Sequence, residues 1–309
     1  MNRLTIILTF LNEGIEVFNT LKSFWESVKY PLEIILINDG STDDFDYQKI
    51  ADDFGARYIK HSEQKGPAVS RNEGVEICST DYFLLLDAHM RVYQDNWLER
   101  IMEELEKEEN VLLCCSTLTL DKNAVVNDKN PIGYGAFINL LDLSNHWIHG
   151  FDDMNRDCLE IPSVLGASYA CSRKYWMKLN GLNGLRMYGF EEQLISLKVW
   201  LSGGKCKVLK DVEFGHIFRD GANAPYEIPT MDYYLNQLLI VELFYTEEYK
   251  RDFIKNMRKN IGVEYTNHWI EKFKQSRHEV AKEKAYYRAL FSRDFRFIID
   301  LNTPQNALK

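Results

Sequence analysis

The apolar run Phe83-Leu84-Leu85-Leu86 stops abruptly on Asp87-Ala88-His89. In an extended chain, residues i and i+2 point the same way, so Asp87 and His89 can aim a carboxylate oxygen and an imidazole nitrogen at one cation. The run reads as a buried strand, and its carboxyl end is where open α/β sheets bind ligands. A polar strand end that merely meets water explains the same pair. Two further strand-like runs end in acids: residues 4–10 lead into Asn12-Glu13, and residues 33–37 into Asn38-Asp39-Gly40. Three neighbouring strand ends with acids on one rim suit a polar ligand carrying hydroxyls and a cation. Arg71 follows Gly66-Pro67 and can face an anionic group from the same cleft. Singly, an Asp before Gly is a turn former and a helical Arg is solvated; convergence on one edge is the signal. Glu191-Glu192 form a second centre, following Gly189 and opening a helical stretch. Acids there gain from the helix dipole, so capping competes with chemistry as their role.

These residues need a scaffold of alternating elements. We expect strands at 4–10, 33–37, 57–60, 82–87 and 111–120, and helices at 16–28, from Ser41 or Thr42 to 54, 67–78 and 97–107. Val17, Leu21, Phe24 and Val28 fall on one face of the first helix, and Pro67 suits the first turn of the third. This order implies an α/β fold with a mostly parallel, doubly wound sheet. No GxGxxG follows the first strand, so a dinucleotide-binding fold lacks its fingerprint. Residues 121–161 look irregular, and His146, Trp147 and His149 there suit acceptor contacts or local packing. Residues 161–176 return to strand and helix, 191–202 form a helix ended by Gly203-Gly204, and 205–209 form a strand. Beyond Tyr233 the chain reads as helical.

The motifs Thr9-Phe10-Leu11-Asn12-Glu13, Asn38-Asp39-Gly40-Ser41-Thr42-Asp43, Gly66-Pro67-Ala68-Val69-Ser70-Arg71-Asn72-Glu73-Gly74 and Leu86-Asp87-Ala88-His89 occur in that order. Together they resemble the nucleotide-sugar half of a GT-A glycosyltransferase of the family 2 type. Asp-x-His, in place of the commoner Asp-x-Asp, is similar to the polypeptide N-acetylgalactosaminyltransferases. So are Gly189-Phe190-Glu191-Glu192, Trp200, Gly203-Gly204, Gly215-His216-Ile217-Phe218-Arg219 and Pro225-Tyr226. The resemblance covers roughly residues 3–230. It implies a Rossmann-like GT-A catalytic domain over 1–230, divided into a nucleotide-binding half at 1–120 and an acceptor and catalytic half at 121–230. Residues 231–309 would be a helical C-terminal extension.

The resemblance also implies roles. Phe10, Asn12, Glu13, Asp39, Gly66, Arg71, Asp87, Ala88, Gly166, Ala167, Gly189, Arg219 and Tyr226 would bind the nucleotide-sugar, with Asp39 facing a uracil edge and Arg71 near base or diphosphate. Arg219 serves equally as a structural ion pair, and Gly166-Ala167-Ser168 as a close-packed strand. Asp87, His89 and His216 would ligate a divalent metal, Mn²⁺ in preference to Mg²⁺, because two imidazoles depart from the all-oxygen shell Mg²⁺ favours. Glu192 would be the general base of an inverting reaction, with Glu191 binding sugar hydroxyls or acceptor. The retaining relatives have Asn where this chain has Glu192, which favours inversion, whereas the Asp-x-His and Gly-His-x-Phe-Arg motifs favour the retaining group. The donor implied is a UDP-sugar. The tail lacks the Gln-x-Trp repeats of a lectin domain, which favours a glycan or lipid-linked acceptor. A non-catalytic nucleotide-sugar or glycan-binding protein is the alternative from another class. A nucleotidyltransferase is disfavoured, because the loop Asn12-Glu13-Gly14-Ile15-Glu16 is acidic where a triphosphate needs basic residues.

Composition sets outer bounds. The 309 residues carry a net charge of −9, which argues against general nucleic-acid binding. Residues 251–309 hold 13 Lys and Arg against 7 Asp and Glu, leaving −15 on the rest. That basic tail suits peripheral contact with an anionic membrane, and equally a solvated helical face. The six cysteines show no metal-ligand spacing, the chain enters a strand almost at once, and no apolar run nears the ~20 residues that span a bilayer. A cytoplasmic enzyme, peripheral at the membrane's inner face at most, is the expectation.

Overall fold

A computed structural model describes residues 4–151, 155–219 and 230–303. In chain order, the first part comprises β1 (Leu4–Phe10), α1 (Glu16–Glu26), β2 (Glu33–Asn38), α2 (Tyr47–Phe54), β3 (Arg57–Lys60), α3 (Pro67–Ile77), β4 (Tyr82–Asp87), β5 (Met90–Val92), α4 (Trp97–Lys107) and β6 (Val111–Leu120). Then come β7 (Ala136–Ile138), β8 (Asn145–Trp147), β9 (Cys158–Glu160), β10 (Ser168–Ser172), α5 (Arg173–Lys178), α6 (Glu191–Leu201) and β11 (Lys205–Ile217). Five helices follow: α7 (Thr230–Phe244), α8 (Glu247–Ile261), α9 (Val263–Phe273), α10 (Arg277–Leu290) and α11 (Phe295–Leu301).

The near-continuous apolar character of β1, β2 and β4 follows from burial on both faces. Ile7, Ile35, Ile37, Phe83 and Leu85 point into one core, shared with α3, α5, α6 and the C-terminal helices. Their alternates Ile6, Leu8, Ile34, Leu36, Leu84 and Leu86 point into a second, shared with α1, α2 and α4. The main sheet runs β3-β2-β1-β4-β10-β6-β11-β5, with β9 against β11. β3, β2, β1 and β4 are parallel, and so is the long β6–β11 ladder. β10 enters antiparallel between β4 and β6, making the sheet mixed but mostly parallel.

Three local expectations change. The second helix starts at Tyr47, where the Asp46 carboxylate accepts from Lys49 N. Ser41 and Thr42 do not cap it; they tie two loops together, Ser41 Oγ accepting from Asn12 N and Thr42 N donating to Asn12 Oδ1. β11 runs on to Ile217, past an irregularity between Leu209 and Glu213. Residues 121–161 contain three short strands, two of which form the hairpin β7–β8. A three-residue strand, β5, was not visible in the apolar pattern.

Gly66 introduces α3 with φ +94° and ψ 158°, a conformation reserved for glycine, and a Cβ there would lie 2.3 Å from Met187 O. Gly66→Ala should therefore destabilise the fold by about 1–3 kcal/mol, read as a lower urea midpoint. An unchanged midpoint would mean that this close approach is not required.

Candidate functional site

A cleft of about 480 Å³ opens at the carboxyl ends of β1, β2 and β4. Of the residues expected from sequence, Phe10, Glu13, Asp39, Arg71, Asp87, Ala88, His89, Gly166, Ala167, Glu191, Glu192, His216 and Arg219 line it. Asn12, Gly66 and Gly189 lie behind the wall and shape it. The Asn12 side chain accepts from Thr42 N and Asp43 N, Gly66 N donates to Asp39 Oδ2, and Gly189 N donates to Glu191 Oε1. Tyr226 falls outside the described residues.

Asp87 ends β4, and His89 lies two residues on. β5 then pairs antiparallel with β11, matching Met90 to His216, and Ile217 N donates to His89 O. The short strand thus carries His89 alongside His216, with ring centroids 4.7 Å apart. One ligand atom each from Asp87, His89 and His216 falls within 4.8 Å of the others. His216 Nε2 lies 3.5 Å from Asp87 Oδ2, too long for a good hydrogen bond, and neither buried ring nitrogen has a hydrogen-bond partner. Burial favours the neutral, ligating form of His216. Burial also acts to raise the Asp87 carboxyl, but His216, Arg71 and His89 outweigh it and hold the group at about 2. One ionised carboxylate and two imidazoles, that of His216 with partnerless nitrogens, fit a divalent metal.

Arg71 is buried and committed to protein groups. Its Nη2 donates to Asp87 Oδ1 at 2.9 Å, and its Nη1 to Tyr169 Oη at 3.2 Å and Glu192 Oε1 at 3.5 Å. It therefore links the metal-ligand set to the acids at the head of α6. Burial, and then the Glu192 charge, push Glu191 up to about 7. Burial also raises Glu192, with Arg71 opposing. Gly166 is where the chain passes Glu192: a Cβ there would sit 2.5 Å from Glu192 Oε1. The small-residue loop thus makes room for the carboxylate. Glu191 does not cap α6, which has no side-chain cap; its Oε1 instead accepts from Gly189 N in the turn before the helix.

Asp39 is buried and accepts from Lys65 N, Gly66 N and the His61 ring. His61, which bridges Asp39 and Glu73, was missed in the sequence because nothing local marks it. Tyr169, Tyr188 and Asn145 were missed likewise. Trp147 lines the cleft and packs on Phe218 at 5.3 Å. Its neighbour His146 faces away, as strand alternation requires, toward a separate groove beside α8.

A model of the family described as Glycosyl transferase family 2 matches residues 5–174. The putative polypeptide N-acetylgalactosaminyltransferase 13 of Drosophila melanogaster is 27% identical over 277 residues, covering 80% of this chain and 48% of its own length. The chain thus spans about half the length of that curated relative. Among solved structures, GalNAc-T7 with UDP, GalNAc and Mn²⁺ superposes with a TM-score of 0.74 at 18% identity, over 96% of this chain and 56% of the other. S. aureus TarS 1-349 in complex with UDP-GlcNAc gives a TM-score of 0.51 at 14% identity, over 93% of this chain and 90% of the other. These structural likenesses establish the GT-A fold.

The raised Glu191 predicts a signed pH effect. A carboxyl held at about 7 in the fold and near 4.5 when unfolded binds an extra proton in the native state between those values. Its contribution is present below the lower value and lost as pH rises through the upper one. Glu191→Gln should thus gain stability relative to the parent as pH rises from 5 to 7.5, measured by urea unfolding at both. An identical difference at the two pH values would refute the raised carboxyl.

Proposed function

The chain belongs to glycosyl transferase family 2, and on that premise we propose that it moves a sugar from a UDP-sugar to a hydroxyl of a glycan or lipid-linked acceptor, with inversion at the anomeric carbon. The observation that carries this reading is the placement of Asp87, His89 and His216 on the same cleft as Glu192, with Arg71 between the two groups.

Asp87, His89 and His216 would hold a divalent metal, which would supply Lewis-acid neutralisation of charge on a departing diphosphate; the two imidazoles favour Mn²⁺. Glu192 takes the proton from the acceptor hydroxyl as that oxygen attacks. Its position matters more than its basicity, since a correctly placed base replaces a bimolecular encounter. The Gly166 backbone leaves the space this carboxylate occupies. Burial favours the protonated form of Glu191, which can donate a hydrogen bond to a sugar hydroxyl. Trp147 and Phe218 offer the apolar faces on which an acceptor can rest. Phe10 lies against Tyr47 near the nucleoside end, and Asp39 shapes that end by anchoring Lys65 N and Gly66 N.

A second reading is retention, favoured by the Asp-x-His and Gly-His-x-Phe-Arg motifs and by the kind of relative the chain resembles; a peptide hydroxyl is then the acceptor. The anomeric configuration of the product, observed by NMR, separates the two. Cytoplasmic placement with peripheral membrane contact belongs to the first reading. Its support is the basic C-terminal region and six cysteines that are all free thiols.

Two measurements test the proposal. UDP should raise the melting temperature in Mn²⁺ and fail to do so in EDTA, since a ligand that binds only the native state stabilises it by mass action. Glu192→Gln should lower turnover by about 10²–10⁴-fold, the usual weight of general base catalysis, while keeping the Mn²⁺-dependent response to UDP. Absence of that response in the parent protein would overturn the metal–diphosphate assignment. Unimpaired turnover in the variant would remove Glu192 as base.

A further inference from the structure

Glu13 is buried, and both of its carboxylate oxygens are engaged within the protein. Oε1 accepts from Arg219 Nη1 at 2.9 Å; Oε2 accepts from Arg219 Nη2 and faces His89 Nδ1 at 3.3 Å. The backbone on either side is fixed, Asn12 N donating to Ser41 Oγ and Gly14 N to Tyr47 Oη. An ionised carboxylate can only accept hydrogen bonds. The imidazole beside it therefore offers Nδ1–H to that oxygen, and the neutral ring held this way keeps its lone pair on Nε2.

We propose that Glu13 is a positioning residue of the metal centre: it holds His89 in the tautomer and orientation that ligate a divalent cation, and through Arg219 it ties that ring to the end of β11, which carries His216. This rests on the reading of Asp87, His89 and His216 as metal ligands. It differs from a nucleoside-holding role in that the partners of both carboxylate oxygens are Arg219 and His89. A carboxylate behind a ligating imidazole fixes the ring and raises its basicity, and losing one costs about 10–100-fold in metal affinity.

The test is a double-mutant cycle read as Mn²⁺ affinity, by titrating metal-free protein without nucleotide and following free Mn²⁺ by electron paramagnetic resonance. Glu13→Gln should weaken binding by about 10–100-fold. In a His89→Ala background the same change should cost little more, because the residue it acts through is gone. Arg219→Gln, which removes only the ion pair, should weaken binding less than Glu13→Gln does. If Glu13→Gln does not fold, Glu13→Asp, which keeps the charge but withdraws it by one methylene, enters the same cycle. Equal losses in the two backgrounds would overturn the role of Glu13 and leave the metal site standing. A parent protein that binds no Mn²⁺ would overturn both.

Discussion

Five carboxylates face one cleft: Glu13, Asp39, Asp87, Glu191 and Glu192. Held apart from water, they would repel one another and be driven toward protonation. Two guanidinium groups overcome this at Glu13 and Asp87 and oppose it at Glu192. Arg71 bonds Asp87 and approaches Glu192, while Arg219 clasps Glu13. Arginine suits this duty because its planar fork reaches two acceptors and stays charged when buried. Asp87 can then remain ionised as a ligand, while burial still raises Glu191 and Glu192. One cluster of like charges is thus resolved into groups of different acidity, an arrangement characteristic of catalytic sites.

Backbone pairing explains why the cluster exists at all. β1, β2 and β4 are adjacent and parallel, so the chain leaves all three at the same edge. Asp87 arrives with β4, and Glu13 and Asp39 with the turns after β1 and β2. His216 arrives from the far side of the sheet, and only the β5–β11 pairing brings it to His89. The irregularity between Leu209 and Glu213 lets β11 continue beside β6 to that point.

The legible part of this design is the part written in local pattern. The apolar runs of β1, β2 and β4 are unmistakable because each is buried on both faces, and the acids that end them fall where the pattern breaks. Pro67 after Gly66 marks α3 for an equally local reason. β5 is only three residues long, and its existence depends on a partner more than 120 positions away. Asp46 displaces Ser41 and Thr42 as a cap because those two are engaged by Asn12, a contact across 29 to 30 positions of sequence. His61, Tyr169 and the pairing of Arg71 with Glu192 are invisible for the same reason: each is defined by a distant group it neutralises or hydrogen-bonds.

The C-terminal helices give the strongest case of long-range dependence. α6 carries Glu191 and Glu192 at its start, and a helix also leaves unpaired carbonyls at its end. Residues beyond α10 satisfy them: Ser292 N and Arg293 N both donate to Leu201 O, and the Arg293 side chain to Trp200 O and Gly204 O. Midway along α6, Lys198 is fully buried, donates to Gly181 O at 2.7 Å and lies under the Tyr287 ring of α10. Burial lowers its ammonium to about 7, with Glu283 opposing. A group so costly to bury fixes the rotation of the helix that bears it, since few other placements supply both a carbonyl and an aromatic face. The helices that read as an extension in the sequence therefore share a core with the helix that bears the candidate base and fasten its far end.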